Sequence, residues 1–231
     1  LSVFAEIKIF LSFKTSYLSL SDIPNVIFEA FVSPSVSGKA IRSPEFVETF
    51  FENSLIKAES LWKIVQKTVI ADDSGICVDA LDGKPGIYSA RYCGRKFASS
   101  NETEDGHNLS QTEQNTLLLE DVNLTLQEKG LDPNNPENRK CRYVCSIIMY
   151  LAKDKFLCAQ ETFEGILLKN IEDSKGTKGF GYDPIVFLPE YNKTVAELTE
   201  EEKALFLGKN AQDFYGFTHL VELPYIKNMS E

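Results

Sequence analysis

Apolar residues at Phe46, Phe50, Ala58, Leu61 and Val65 recur at helical spacing. Ahead of them, Ser43-Pro44-Glu45 offers an N-cap, a proline for the first helical position and an acidic first turn. The pattern predicts a helix from Ser43 to about Gln66. Lys67–Ala71 (KTVIA) then reads as a short buried strand ending in Asp72-Asp73-Ser74-Gly75, with 76–80 offering another strand before the turn Asp82-Gly83-Lys84-Pro85-Gly86. Residues 98–114 lose the apolar rhythm and read as a polar surface insertion. A helix from about Glu113 to Lys129 follows, then a Pro/Asn linker over 132–138. Arg142–Ala152 and Phe156–Phe163 read as two antiparallel strands. Beyond the loop 172–181 comes a strand, Pro184–Leu188, and Thr199 with Glu202 forms a capping box for a helix over Glu200–Leu207. This mixture fits α/β or α+β architecture, and periodicity does not choose between them.

Composition narrows the partners. The chain has 231 residues, enough for one larger domain or two packed lobes, and 24 Lys+Arg against 34 Asp+Glu leave a net charge of −10. That field repels a phosphate backbone, so duplex nucleic acid is not an expected partner. The opening Leu1–Phe13 is apolar but broken by Glu6 and Lys8, which excludes a signal h-region and a membrane span there. Five cysteines without a CxxC pair argue against a zinc ribbon, and their odd number, with no secretory signal read at the start, predicts a reducing, cytoplasmic setting. The only histidines, His107 and His219, lie in the polar insertion and near the C-terminus, so a Ser–His or Cys–His nucleophile is not expected.

Carboxylates and metal remain. On the first helix, Glu52, Asn53 and Lys57 offer a metal ligand, an amide and a phosphate-binding cation from one segment, although Glu45, Glu48, Glu52 and Glu59 also fit a solvated stripe. Asp72-Asp73 at a strand end would place one carboxylate on each side of the sheet; an ordinary acidic turn reads the same way. Mg²⁺ prefers a few carboxylates completed by water and substrate phosphates, and a carboxylate can activate the attacking water. Gly176-Thr177-Lys178-Gly179-Phe180-Gly181-Tyr182-Asp183-Pro184 lets backbone and rings approach a planar ligand, or is a loop packed by its aromatics. No GxxxxGK[ST] phosphate loop occurs.

Ala71–Leu81 (ADDSGICVDAL), Pro85–Tyr92 (PGIYSARY), the F-x-E-N-x-x-x-K-A segment ending at Ala58, Phe163-Glu164-Gly165, the Gly179–Pro184 run and Ala196-Glu197-Leu198-Thr199 followed by Glu201-Glu202-Lys203 together resemble the inosine-triphosphate pyrophosphatase family. The resemblance covers roughly residues 45–205. It implies an α/β fold with a long mixed central sheet flanked by helices, a single domain whose two lobes enclose a nucleotide cleft, and a homodimer. It also implies Mg²⁺-dependent hydrolysis of ITP, XTP or deoxy-ITP to the monophosphate and pyrophosphate. By matching position, Asp73 is the catalytic carboxylate and shares the metal with Glu52, while Lys57 holds phosphate. Ser74, Phe180, Gly181, Tyr182, Asp183 and Lys203 contact the nucleotide.

Two departures accompany the likeness. The family's opening strand would fall before Leu1, and Val3 stands where the Lys of its triphosphate loop should be. The Ser-His-Arg triplet that reads the purine is Leu207-Gly208-Lys209 here, leaving Lys209 as the base-side cation without arginine's planar fork. Rival readings are a catalytically impaired nucleotide-binding or dimer-scaffold protein, and the same chemistry on a modified pyrimidine triphosphate.

Overall fold

The computed structural model describes residues 48–95, 109–176, 179 and 181–204. By contact density the chain divides into two compact units, Leu1–Glu197 and Leu198–Glu231. Within the first unit, the described elements are helix α1 (Phe50–Val65), strand β1 (Val69–Val78), helix α2 (Gln111–Glu128) and strands β2 (Lys140–Ala152), β3 (Lys155–Leu167), β4 (Val186–Leu188) and β5 (Lys193–Thr194). The strand order is β1-β2-β3-β4-β5, and every pairing among the described residues is antiparallel. The α/β class holds; the mixed character of the sheet is not seen among these residues.

Helix α1 begins later than the apolar rhythm suggests. Ser43 lies outside the described residues, and Thr49 is extended (φ −130°, ψ 152°), which ends the helix on its N-terminal side. Thr49 Oγ1 accepts the Glu52 N–H, and the Glu52 carboxylate accepts the Thr49 N–H, a capping box that satisfies two orphan donors. Gln66, in the left-handed region at φ 52°, closes the other end. Thr49→Ala removes the cap and is expected to cost about 1 kcal/mol, read as a lower urea midpoint at unchanged slope.

Strand β1 is longer than the sequence pattern implied. It runs unbroken for ten residues, pairing Val69 with Tyr150 through to Val78 with Cys141. Asp72 and Asp73 therefore sit in mid-strand, opposite Ile147 and Ser146, and not at a strand tip. The full ladder to β2 satisfies the backbone through the Asp-Asp-Ser-Gly segment, so the four polar or small residues do not terminate it. Side chains alternate: Val69, Ala71 and Asp73 point to one face, Ile70, Asp72 and Ser74 to the other.

Helix α1 packs on the first of these faces. Ala58, Val69, Ile148 and Tyr150 form a buried cluster with Phe51, Leu55, Leu61, Trp62, Val65 and Ala71 against it, and Trp62 meets Tyr150 at 5.4 Å between rings. The Ser54 hydroxyl, fully buried, reaches the Ser146 carbonyl at 2.9 Å and pins the helix to β2. β2 is buried through Tyr143–Ile148, as expected for a strand paired on both edges and covered on both faces.

Helix α2 starts at Gln111, two residues before the expected Glu113, because Ser110 and Glu113 form a second capping box. Its first turn thus takes up part of the 98–114 segment, of which 98–108 lie outside the described residues. Leu118, Leu119, Val122 and Leu126 are its buried stripe. Tyr92 Oη donates to Asp121 and Lys129 Nζ to the Ala80 carbonyl, tying α2 to the segment that follows β1. Buried Arg139 donates to the Leu167 carbonyl and to Asn123 Oδ1, fastening the end of β3 to α2.

In the second unit, helix α3 (Glu200–Ala204) is described. Thr199 N–H reaches Glu202 at 2.8 Å and Glu202 N–H returns to Thr199 Oγ1 at 3.2 Å, the capping box read from the sequence.

Candidate functional site

Asp73 is the centre of a three-residue cluster. Lys57 lies two turns into α1 and its ammonium meets Asp73 Oδ1 at 2.5 Å and the Asp72 carbonyl at 3.0 Å. Asn53, one turn earlier on the same helix face, donates to Asp73 Oδ2 at 3.1 Å. The i,i+4 spacing of Asn53 and Lys57 is what lets one helix grip both oxygens of one carboxylate. The Asp73 side chain is 15% exposed and that of Lys57 44%, so the pair lies at the rim of the packed layer and not inside it. Burial raises the Asp73 proton affinity above the ordinary carboxylate value; Lys57 and then Asn53 pull it back without cancelling the shift.

Glu52 is next to Asn53 in the same turn, but its carboxylate folds back on the cap. Oε2 accepts from the Glu48 and Thr49 N–H groups and from Thr49 Oγ1, and these bonds hold its proton affinity below the usual range. Oε1 has no protein partner among the described residues. Asp72 and Ser74 occupy the other sheet face, where the Ser74 hydroxyl donates to Asp72 Oδ2 at 3.2 Å. Ser74 and Asp73 therefore point in opposite directions from adjacent positions.

The glycine-aromatic segment is held at successive residues by different elements. The Gly181 carbonyl accepts from Asn115 on α2, Tyr182 Oη donates to the Ser89 carbonyl at 2.7 Å, and Tyr143 Oη on β2 donates to Asp183 Oδ1 at 2.9 Å. Tyr182 and Asp183 are buried, and burial pushes the Tyr143 and Tyr182 phenols up, so both remain protonated donors. Their polar atoms are directed into the protein and set the backbone of the loop. Gly181 (φ 64°) has the left-handed conformation that favours glycine.

Lys203 makes its ion pair with Glu200 in its own short helix, at 3.0 Å. Phe180 and Lys209, together with Val3, lie outside the described residues. The structure thus joins Lys57 to Asp73, sets Glu52 one residue from the contact, and orders Gly181–Asp183 through buried bonds.

Asn115, Gln114, Ser89 and Tyr143 were not singled out by the sequence reading. A signal was present for two of them: Gln114 and Asn115 continue the Leu118/Leu119 stripe one turn back, and buried amides in a helix need partners elsewhere.

A divalent metal is compatible with the donor set without being enclosed by it. Among the described residues no group of three or more His, Cys, Asp or Glu side chains forms a metal cage. Mg²⁺ does not require one: two hard carboxylates completed by water and phosphate oxygens suit it. Ser146, opposite Asp73, has the one buried side-chain polar atom without a partner among the described residues, which marks a polar lining beside that carboxylate. The five cysteines form no disulfide among the described residues, and Cys141 and Cys145 are buried. Among the described residues no helix is long and apolar enough to cross a membrane.

Known proteins resemble this chain in sequence and in fold. The chain is 40% identical over 172 residues to a dITP/XTP pyrophosphatase of Treponema denticola, covering 74% of this chain and 77% of the relative. It is 35% identical over 196 residues to the dITP/XTP pyrophosphatase of Listeria monocytogenes, covering 85% and 78%. Among solved structures, the Ham1 protein of Staphylococcus aureus superposes with a TM-score of 0.52 at 32% identity, over 77% of this chain and 82% of that one. The sequence profile of the Ham1 family matches residues 21–207, so this chain belongs to the Ham1 family.

Proposed function

We propose that this chain hydrolyses a nucleoside triphosphate between its α and β phosphates, giving the monophosphate and pyrophosphate, with ITP, deoxy-ITP and XTP as the substrate class. The observation that supports this most is the grip of Asn53 and Lys57 on the half-buried Asp73, in a family whose relatives are named for this activity. A carboxylate with raised proton affinity suits a general base. Asp73 takes a proton from water as the water oxygen bonds to the α-phosphorus and the bridging oxygen leaves with pyrophosphate. Lys57 uses two of its three N–H donors on Asp73 Oδ1 and the Asp72 carbonyl. The third is left for a phosphate oxygen, where charge grows in the transition state. Asn53 keeps the carboxylate from turning.

Pyrophosphatases of this family are in general divalent-metal dependent. Mg²⁺ is the proposed ion, and Glu52 and Asp73 would hold it. When bound it neutralises phosphate charge. Ser74, Phe180, Gly181, Tyr182, Asp183, Lys203 and Lys209 are the proposed nucleotide contacts. The proposal extends to a single two-lobed domain, with 98–114 as a surface insertion, working as a cytoplasmic homodimer; five cysteines without a disulfide among the described residues support a reducing compartment.

The test is steady-state pyrophosphate release from ITP, XTP, deoxy-ITP, GTP and a modified pyrimidine triphosphate with Mg²⁺. Release from the 6-oxo purine substrates is expected, with kcat/KM for ITP exceeding that for GTP by about tenfold to a hundredfold, since Lys209 supplies charge without a planar fork. Tight ITP binding with background release would instead support the nucleotide-binding scaffold.

A further inference from the structure

The first two turns of α2 carry three carboxamides, and two of them form a relay ending on the glycine-aromatic segment. Gln111 Nε2 donates to Asn115 Oδ1 at 2.9 Å, and Asn115 Nδ2 donates to the Gly181 carbonyl at 3.3 Å. Asn115 is 4% exposed, whereas Gln111 lies at the surface. Gln114, also buried, sends its Nε2 to the Ala90 carbonyl, so the helix start is anchored to the 86–91 turn that also receives the Tyr182 hydroxyl. The relay has a direction. By accepting from Gln111, Asn115 Oδ1 is committed, and only the amide N–H₂ faces Gly181. In a planar trans peptide the C=O and the following N–H point opposite ways. Holding the Gly181 oxygen toward α2 therefore turns the Tyr182 N–H away from α2, and that N–H has no protein partner among the described residues.

We propose that Asn115, oriented by Gln111, is a positioning residue that fixes the Gly181–Tyr182 peptide and so sets how tightly the segment holds a nucleoside triphosphate. This rests on the function proposed above. Neither amide needs to touch the substrate. The relay acts by pre-ordering the backbone that does, which changes binding more than the chemical step.

Gln111→Glu is the decisive variant. A carboxylate only accepts, so Asn115 must flip to donate to it, placing Oδ1 against the Gly181 carbonyl, acceptor to acceptor. The expected result is a KM for ITP raised about tenfold with kcat within about twofold, and the same loss in the Kd for ITP measured in an Asp73→Asn background. Thr112→Glu adds the same charge one residue away without reaching Asn115; its KM is expected to stay within about twofold. The Gln111→Glu effect is expected to persist at high salt, where a charge effect would be screened. Without substrate, the backbone amide resonances of Gly181 and Tyr182 are expected to shift in Gln111→Glu and in Asn115→Ala, and not in Thr112→Glu. Unmoved amide resonances, or a KM change matched by Thr112→Glu, would overturn the relay. A wild-type protein that releases no pyrophosphate from any triphosphate would instead overturn the proposed function, while the amide shifts and ITP Kd still decide the relay.

Discussion

Asp73→Asn is expected to lower pyrophosphate release by about a thousandfold or more while the protein stays folded and still binds ITP. The substitution preserves shape but exchanges one carboxylate oxygen for an N–H₂ donor. Both oxygens of Asp73 are engaged by donors, Lys57 on one and Asn53 on the other, so the new amide must face a donor whichever way it turns. The proton acceptor is lost, and the ammonium of Lys57 is released from its ion pair. Circular dichroism and the urea midpoint report the fold, calorimetry reports ITP binding, and a coupled phosphate assay reports turnover. Turnover within tenfold of wild type would remove Asp73 from the chemistry.

Gly75→Ala is expected to have the largest effect on stability, about 3 kcal/mol, seen as a lower urea midpoint without a change of slope. A Cβ at Gly75 would fall 2.5 Å from the Gly86 carbonyl and 2.4 Å from Ser89 Oγ. The carbonyl is backbone and cannot swing aside. Ser89 is equally committed: its hydroxyl accepts the Ile76 N–H at 2.8 Å and donates to the Gly86 carbonyl at 2.6 Å. Making room therefore separates β1 from the 86–91 turn. Because Asp73 is two residues away in the same strand and Tyr182 rests on Ser89, activity is expected to fall with stability. A midpoint unchanged in Gly75→Ala would mean that this close approach does not constrain the fold.

The residues of the site were more legible than the way they are held. The Glu52-Asn53-Lys57 spacing placed an amide and a cation on one helix face, and that face does meet Asp73. Alternation also placed Asp72 and Asp73 on opposite sides of the sheet. What local pattern could not supply was the length of β1. Two aspartates, a serine and a glycine read as a turn by composition, yet a thirteen-residue partner strand carries them through as a ladder. Similarly, Ser43-Pro44-Glu45 offered a plausible helix start, whereas Thr49 and Glu52 close a capping box six residues later. That cap also gives Glu52 a structural duty that its proposed metal role must share. The inward turn of Tyr182 and Asp183 depends on Ser89 and Tyr143, which are 93 and 40 residues distant in sequence, and no short-range pattern encodes such pairs.

Asp73, gripped by Asn53 and Lys57, is held to direct water onto the α-phosphorus of a triphosphate. Phosphorus NMR of the products formed from ITP and Mg²⁺ in ¹⁸O-water examines that most directly. Inosine monophosphate carrying the isotope, together with unlabelled pyrophosphate, is the expected outcome. Inosine diphosphate with orthophosphate, or label in the pyrophosphate, would contradict it.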